Sequence, residues 1–184
     1  FNTDINTVRG QETGYCTLNP LHQKSATISE NNLKAQVDSS GSNYVVGTVA
    51  VTSGQWYWEF TTVGSNNMML GAAKVDATSY DISSTGNVFY YYANGGNIWP
   101  PNSSYGSTLS VGDTLGVALD MDAGTLTYYK NGVSLGVAFN SGLSGETIVP
   151  SIGTGGGSGS ITRCNFGQKP FKFPPPDGFQ PLNT

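Results

Sequence analysis

The residues able to do chemistry are few and scattered. His22 is the only histidine, in NPLHQKS. A general base needs a group to activate, and no second ligand or nucleophile stands beside it, so it reads as a surface, structural histidine. Asp120 and Asp122, spaced D-x-D in ALDMDAG, offer two carboxylates, whereas a hard cation takes about six or more oxygens. With Gly124 they predict a turn in which Asp122 caps its own downstream backbone N–H groups. Glu59, between Trp58 and Phe60 in a strand that should be central, reads as a hydrogen-bonded carboxylate on a solvated or lateral face. The run GTGGGSGS, Gly153 to Ser160, invites a phosphate-loop reading. Such a loop ends in Lys and Ser/Thr and opens a helix, but here ITRCNF follows, a strand. Cys16 and Cys164, the only cysteines, fit neither a zinc nor a redox spacing. No nucleophile, base and orienting group can be nominated together. The chain therefore reads as non-enzymatic, with no catalytic residue, no metal and no cofactor.

The functional signal that remains is aromatic and amide-rich: VFYYYANGGNIWPPNSSYG, Val88 to Gly106. Strand alternation gives at least one of Tyr90, Tyr91 and Tyr92 to each face, while Trp99 and Tyr105 fall in the loop. Large amphipathic rings on a loop held by a rigid scaffold are what recognition surfaces use, and Asn side chains beside them suit sugar hydroxyls or peptide backbone. Tyr91, Asn94, Trp99, Asn102 and Tyr105 are thus candidate contacts. Tyr105 or Asn102 is expected to be exposed. For Trp99 two readings stay open: it joins that surface, or it folds back over the hydrophobic edge of the protein.

The elements that must position these residues are strands. Alternation appears nearly everywhere and helical periodicity almost nowhere. In GDTLGVALDMDAGTLTYYKNGVSLGVAF, Gly112 to Phe139, residues Leu115, Val117, Leu119 and Met121 point one way and Gly116, Ala118 and Asp120 the other. TLTYYK returns after DAG. Asn131 and Gly132 then supply the positive-φ pair of a tight hairpin, and Val133, Leu135, Val137 and Phe139 complete an antiparallel meander. Further strands are expected around Leu33–Val37, Val45–Val51, Trp56–Phe60, Met68–Ala72, Val88–Tyr92, Ile148–Ile152 and Ile161–Phe166. Ten or more short strands indicate an all-β, two-sheet sandwich. Pro100 and Pro101 cannot donate to a ladder, so the segment from Ala93 to Thr108 is expected as one long surface loop. The proline-punctuated tail after Phe166 is expected to lie across the sandwich by Phe171, Phe173 and Phe179.

Length and composition bound the partners. The 184 residues suit one domain, and only 11% are charged, with a net charge of -4. Nucleic acid is excluded, because its phosphates demand a Lys/Arg stripe that this sequence lacks. No apolar stretch is long enough to insert into a bilayer. Residues 1–14 read as a linker from an upstream part, and the start at Phe1 suggests a piece of a longer protein.

SGQWYWEF (Ser53–Phe60), LGAA (Leu70–Ala73), the whole of Gly112–Phe139, IVPSIG (Ile148–Gly153) and CNFGQKPF (Cys164–Phe171) stand in the order and spacing of a SPRY domain. The chain resembles that family over nearly all of its length from about Cys16. The resemblance implies a bent antiparallel β-sandwich over 15–184, a concanavalin-like jelly roll with little or no helix. It also implies no catalytic machinery and partner binding, to protein or glycan, through loops at one end. GTGGGSGS would lie at that end, which adds Thr154 and Ser158 to the candidates. The aromatic residue that some relatives use near this place is missing, so that mode of peptide binding is not carried over. Family topology would lay the first strand beside the last and make Cys16 and Cys164 neighbours. Of a disulfide and two buried free thiols, the thiols are the expected state, because cross-strand geometry seldom suits a bridge.

A finer resemblance lies in YCTLNPL (Tyr15–Leu21) and CNFGQKPF, which look like SPRY modules of tailed-phage structural proteins. It implies an appendage on a tail, fibre or head protein, at a virion surface or outside the cell, within a larger homo-oligomeric assembly. Its ligand would be a host-surface glycan or protein, or a neighbouring virion protein. The alternative is a cytoplasmic adaptor that captures a peptide motif for regulation or ubiquitination. The upstream PRY extension of animal immune-type members is not recognisable here, which counts against a ubiquitin-ligase targeting module.

Overall fold

The computed structural model describes residues 14–37, 43–77, 79–80, 86–154 and 160–183. They contain no helix and form strands β1 (Leu18–Lys24), β2 (Ala26–Ser29), β3 (Lys34–Val37), β4 (Tyr44–Gly47), β5 (Gln55–Thr62), β6 (Met68–Lys74), β7 (Val88–Tyr92), β8 (Asn97–Trp99), β9 (Ser103–Ser104), β10 (Thr114–Asp120), β11 (Thr125–Lys130), β12 (Val133–Phe139), β13 (Ile148–Thr154), β14 (Ser160–Asn165) and β15 (Gln180–Pro181). The first sheet runs β1-β4-β13-β6-β7-β8-β9, the second β12-β11-β10-β5-β14-β3-β2, with β15 beside β5. All pairings are antiparallel except β15 with β5. The architecture is a two-sheet antiparallel sandwich.

Alternation selects which side chains meet between the sheets. Trp58 and Phe60 of β5, Leu115, Val117 and Leu119 of β10 and Cys164 of β14 face Leu70 of β6, Tyr91 of β7 and Ile152 of β13 in one core. A smaller cluster covers the outer face of the first sheet, where Val46, Met69, Tyr90 and Val149 pack beneath Tyr80. That second layer is why β6 and β13 are buried on both faces.

Two expectations are corrected, and one face of β10 proves more buried than alternation alone requires. The segment from Ala93 to Thr108 is not one loop: β8 pairs with β7 (Trp99 opposite Tyr90) and β9 with β8. The prolines occupy only the turn between them, where no ladder N–H is needed. In β10 Gly116 and Ala118 lie on the face opposite Leu115 and Val117, as the alternation implies, and are buried there as well. The Tyr57 hydroxyl lies over Gly116, leaving no room for a Cβ there, and Phe171 packs edge-on against the Tyr57 ring at 4.9 Å. In β12 the register shifts between Leu126 and Tyr129 of its partner, so strict alternation fails. Leu135 and Phe139 pack on the core, whereas Val133 and Val137 are 67% and 57% exposed.

The tail does cross the second sheet. Phe173 lies against Gly132, Phe179 is half-buried, and β15 occupies the flank of β5 that β14 has left, with Gln180 opposite Trp56. Leu182 then enters the core, donating its N–H to Phe166 and accepting one from Cys16, both at 3.0 Å.

Candidate functional site

Strand directions sort the connections into two ends. At one, the β5–β6 connection (63–67), the β7–β8 turn (93–96), the β9–β10 connection (105–113) and the β11–β12 turn (131–132) come together. Asn66 Nδ2 donates to the Leu109 carbonyl at 2.6 Å and Thr108 Oγ1 to the Asn94 carbonyl at 2.8 Å. Lys130 Nζ holds the Thr108 carbonyl at 2.7 Å and Ser107 Oγ at 3.0 Å, with Asp113 at 3.5 Å. Burial works against the Asp113 carboxylate, but the Asn131 amide, the Ser110 N–H and the Lys130 ammonium outweigh it and hold its pKa below the usual carboxylate range. These loops are therefore fixed by their own side chains and by Lys130 at the end of β11. Val111 stands on this rim 69% exposed, and Val133 follows the neighbouring turn. The opposite end carries the β8–β9 turn, the β10–β11 turn and the β12–β13 connection. There Phe89 and Phe139, ring centroids 5.3 Å apart, share a shallow depression with Pro100 and Gly142.

The expected single recognition loop is thus divided between the two ends. Asn94 is exposed at the first. Trp99 and Asn102 belong to the second. Asn102 is exposed in a left-handed conformation (φ 66°) and accepts the Asn97 amide at 2.8 Å. Trp99 is half-buried and packs on the outer cluster of the first sheet, which is the covering role. Tyr91 has no exposed surface, and its hydroxyl donates to the Ser107 carbonyl. Tyr105 is half-buried rather than displayed. Its ring meets Tyr91 and Tyr128 edge-on, and its hydroxyl donates to the Gly136 carbonyl. Both rings hold the loop; they do not present themselves to a ligand. Thr154 is 7% exposed and its N–H bonds the Asn43 carbonyl at 3.0 Å. Ser158, most of GTGGGSGS and residues 1–13 lie outside the described residues.

The titratable candidates serve the fold. Glu59 is 2% exposed, not on a solvated face. Its two oxygens accept the backbone N–H groups of Lys172 and Phe173, each at 2.9 Å. Asp120, rather than Asp122, caps the hairpin: its Oδ1 accepts the N–H groups of Asp122 and Ala123 at 3.1 and 2.8 Å. Asp122 instead reaches across to the Gly54 N–H at 2.8 Å. His22 is half-buried, edge-on to Tyr44 and Tyr80 at 6.0 and 5.2 Å. Cys16 and Cys164 are buried free thiols. Burial pushes Cys16 up to about 11, and burial together with the neighbouring Cys16 raises Cys164 well above the usual thiol range. Among the described residues no three His, Cys, Asp or Glu side chains come together as a metal site. The sequence reading missed Val111 and Val133; the signal for Val111 was an isolated valine in the polar run STLSVGDT.

A sandwich without helix, its loops gathered at two ends, matches the SPRY domain family model over residues 55–169. The chain belongs to the SPRY family. The E3 ubiquitin-protein ligase RKP of Arabidopsis thaliana is 32% identical to this SPRY chain over 144 residues, 72% of the chain and 11% of the relative. The chain thus spans about a tenth of the length of that curated relative. The crystal structure of the SPRY domain of human HERC1 shares the fold: TM-score 0.71, 22% identity, covering 83% of this chain and 99% of that one. Neither is a virion protein, so the expected kinship with phage modules gains no support from them.

Proposed function

We propose that this SPRY domain is a recognition module that captures a short peptide segment of a protein partner, within a larger intracellular regulatory protein of the ubiquitin-ligase kind. The observation that carries the reading is the loop end at Val111. An exposed apolar side chain there shares its end of the sandwich with the exposed Asn94 amide, on loops that the amides of Asn66 and Asn131 tie down. Amides both donate and accept, and so match the backbone of an extended peptide, while Val111 and Val133 give its side chains an apolar footing. Preformed loops also lower the ordering cost of binding. The likeness to RKP supports the cytoplasmic adaptor over a virion appendage or a glycan receptor. The module has a binding role here, and any chemistry belongs to other parts of the parent protein.

A peptide library displayed against the purified chain tests this. Selected peptides are expected to lose binding to Val111→Asp and Asn94→Ala variants with unchanged melting curves, and to keep it with Trp99→Ala and Asn102→Ala. The reverse pattern would move the site to the opposite end, and failure to select any peptide sequence would sink the reading.

A further inference from the structure

On the outer face of the second sheet the tail crosses β5 and leaves a cleft of about 200 Å³ against β14, lined by Thr61, Arg163, Asn165, Lys169 and Lys172 with the buried Glu59 beneath. Register sets Arg163 opposite Lys34 on β3 and Thr61 on β5. Lys34 and Arg163 therefore stand in one row across the sheet, and Lys169 and Lys172 border it from the tail. Half of the chain's 8 Lys and Arg lie on this face, although its net charge is -4.

The acids on the face are already engaged. Glu30 takes Arg163 with both oxygens, at 2.6 and 2.8 Å, and Lys34 at 3.4 Å, while Glu59 accepts the backbone N–H groups of Lys172 and Phe173. Among the described residues Lys172 Nζ has only neutral partners, the Gly112 carbonyl at 2.8 Å, Thr114 Oγ1 at 3.3 Å and the Phe173 ring. Lys169 is exposed and makes no ion pair among the described residues. Two cations with no ion-pair partner among the described residues thus border a concave surface whose one carboxylate, Glu59, lies beneath it on backbone N–H groups.

We propose that this cleft binds an acidic peptide segment of a partner protein, whose Asp or Glu side chains take the ammonium groups of Lys169 and Lys172 while its backbone lies between β14 and the tail. The Glu30–Arg163 pair is a carboxylate held by the same row of cations. The Glu59 carboxylate under the cleft disfavours a doubly charged phosphoryl group, since like-charge repulsion grows with the ligand's charge. This surface lies on the outer face of the second sheet and touches the Val111 loop only where Lys172 Nζ bonds the Gly112 carbonyl, so Lys169→Gln, which has no contact there, separates the two sites.

The probe is a fluorescein-labelled oligoglutamate peptide, titrated by anisotropy against the full chain at low and at physiological salt. Binding is expected at low salt and weaker at physiological salt. It should fall by at least about fivefold in Lys169→Gln/Lys172→Gln and measurably in Lys169→Gln alone, whose side chain has no structural partner to lose. The distant pair Lys24→Gln/Lys74→Gln should change it by less than about twofold, and the Asn94→Ala variant should leave the site in place. No binding at low salt, or equal loss in both double variants, would overturn the proposal. So would tighter binding of a phosphoserine peptide of equal net charge, which would mark a phosphoryl site.

Discussion

Glu59 shows how one residue can mislead when only its neighbours in sequence are considered. A carboxylate between two aromatic residues in a central strand reads as a hydrogen-bonded group on a solvated or lateral face, yet it is buried and anchors the C-terminal tail. Charge-assisted bonds to buried N–H groups are the strong kind, and removing the acceptor leaves both donors unpaired. Glu59→Ala is therefore expected to cost about 3 kcal/mol in denaturant unfolding, with Glu59→Gln losing less because one acceptor oxygen remains. Glu30 makes the contrasting case at the surface. The Arg163 hydrogen bonds hold its pKa at about 2, below the ordinary 4.5. A depressed carboxylate pKa contributes stability that is present above pH 4.5 and is lost as the pH falls towards about 2. Carboxyl NMR titration should place Glu30 near 2 in the native chain and return it towards its ordinary value in Arg163→Ala, with little change in melting at neutral pH. Neither role was legible in sequence, because Glu30 and Arg163 are far apart along the chain and meet only when β2, β3 and β14 pair.

At the scale of elements, the strands were legible where alternation or turn chemistry was clean. The Asn131–Gly132 hairpin, both residues at positive φ, and the β10–β11 pairing follow the expected pattern. The hairpin of β8 and β9 did not, because a strand of three residues and one of two carry no period, and the prolines pointed to a loop. Gly71 in the middle of β6 shows a constraint that no pattern reveals. A Cβ there would run into the Phe89 carbonyl oxygen and the Tyr128 hydroxyl, which are themselves hydrogen-bonded at 2.8 Å. Backbone and a buried partner cannot give way. Gly71→Ala should thus destabilise by about 3 kcal/mol through overpacking, whereas Gly86→Ala, with open space around its site, should cost about 1 kcal/mol from its positive φ alone. Chemical denaturation of the two variants checks the ranking.

The whole molecule decides which apolar residues matter. Leu21 and Leu182 are the same side chain near opposite ends of the chain, but the first is 96% exposed and the second has no exposed surface. Leu182→Ala should cost about 3 kcal/mol and lower the melting temperature by about 9 °C for a domain of this size. Leu21→Ala should change stability by less than about 0.5 kcal/mol. Equal shifts in a thermal scan would mean that the tail does not dock as described. The sequence by itself determined the all-β class, the antiparallel meander, the poverty in charge and the SPRY motifs. These rest on local periodicity, turn residues and composition, all of which are written along the chain. Only the tertiary structure decided that the aromatic segment divides between two ends, that Tyr91 and Tyr105 face inward, and that the tail builds a cationic cleft against β14. Those outcomes depend on which strands become neighbours across the sandwich, a relation between residues distant in sequence that periodicity cannot encode.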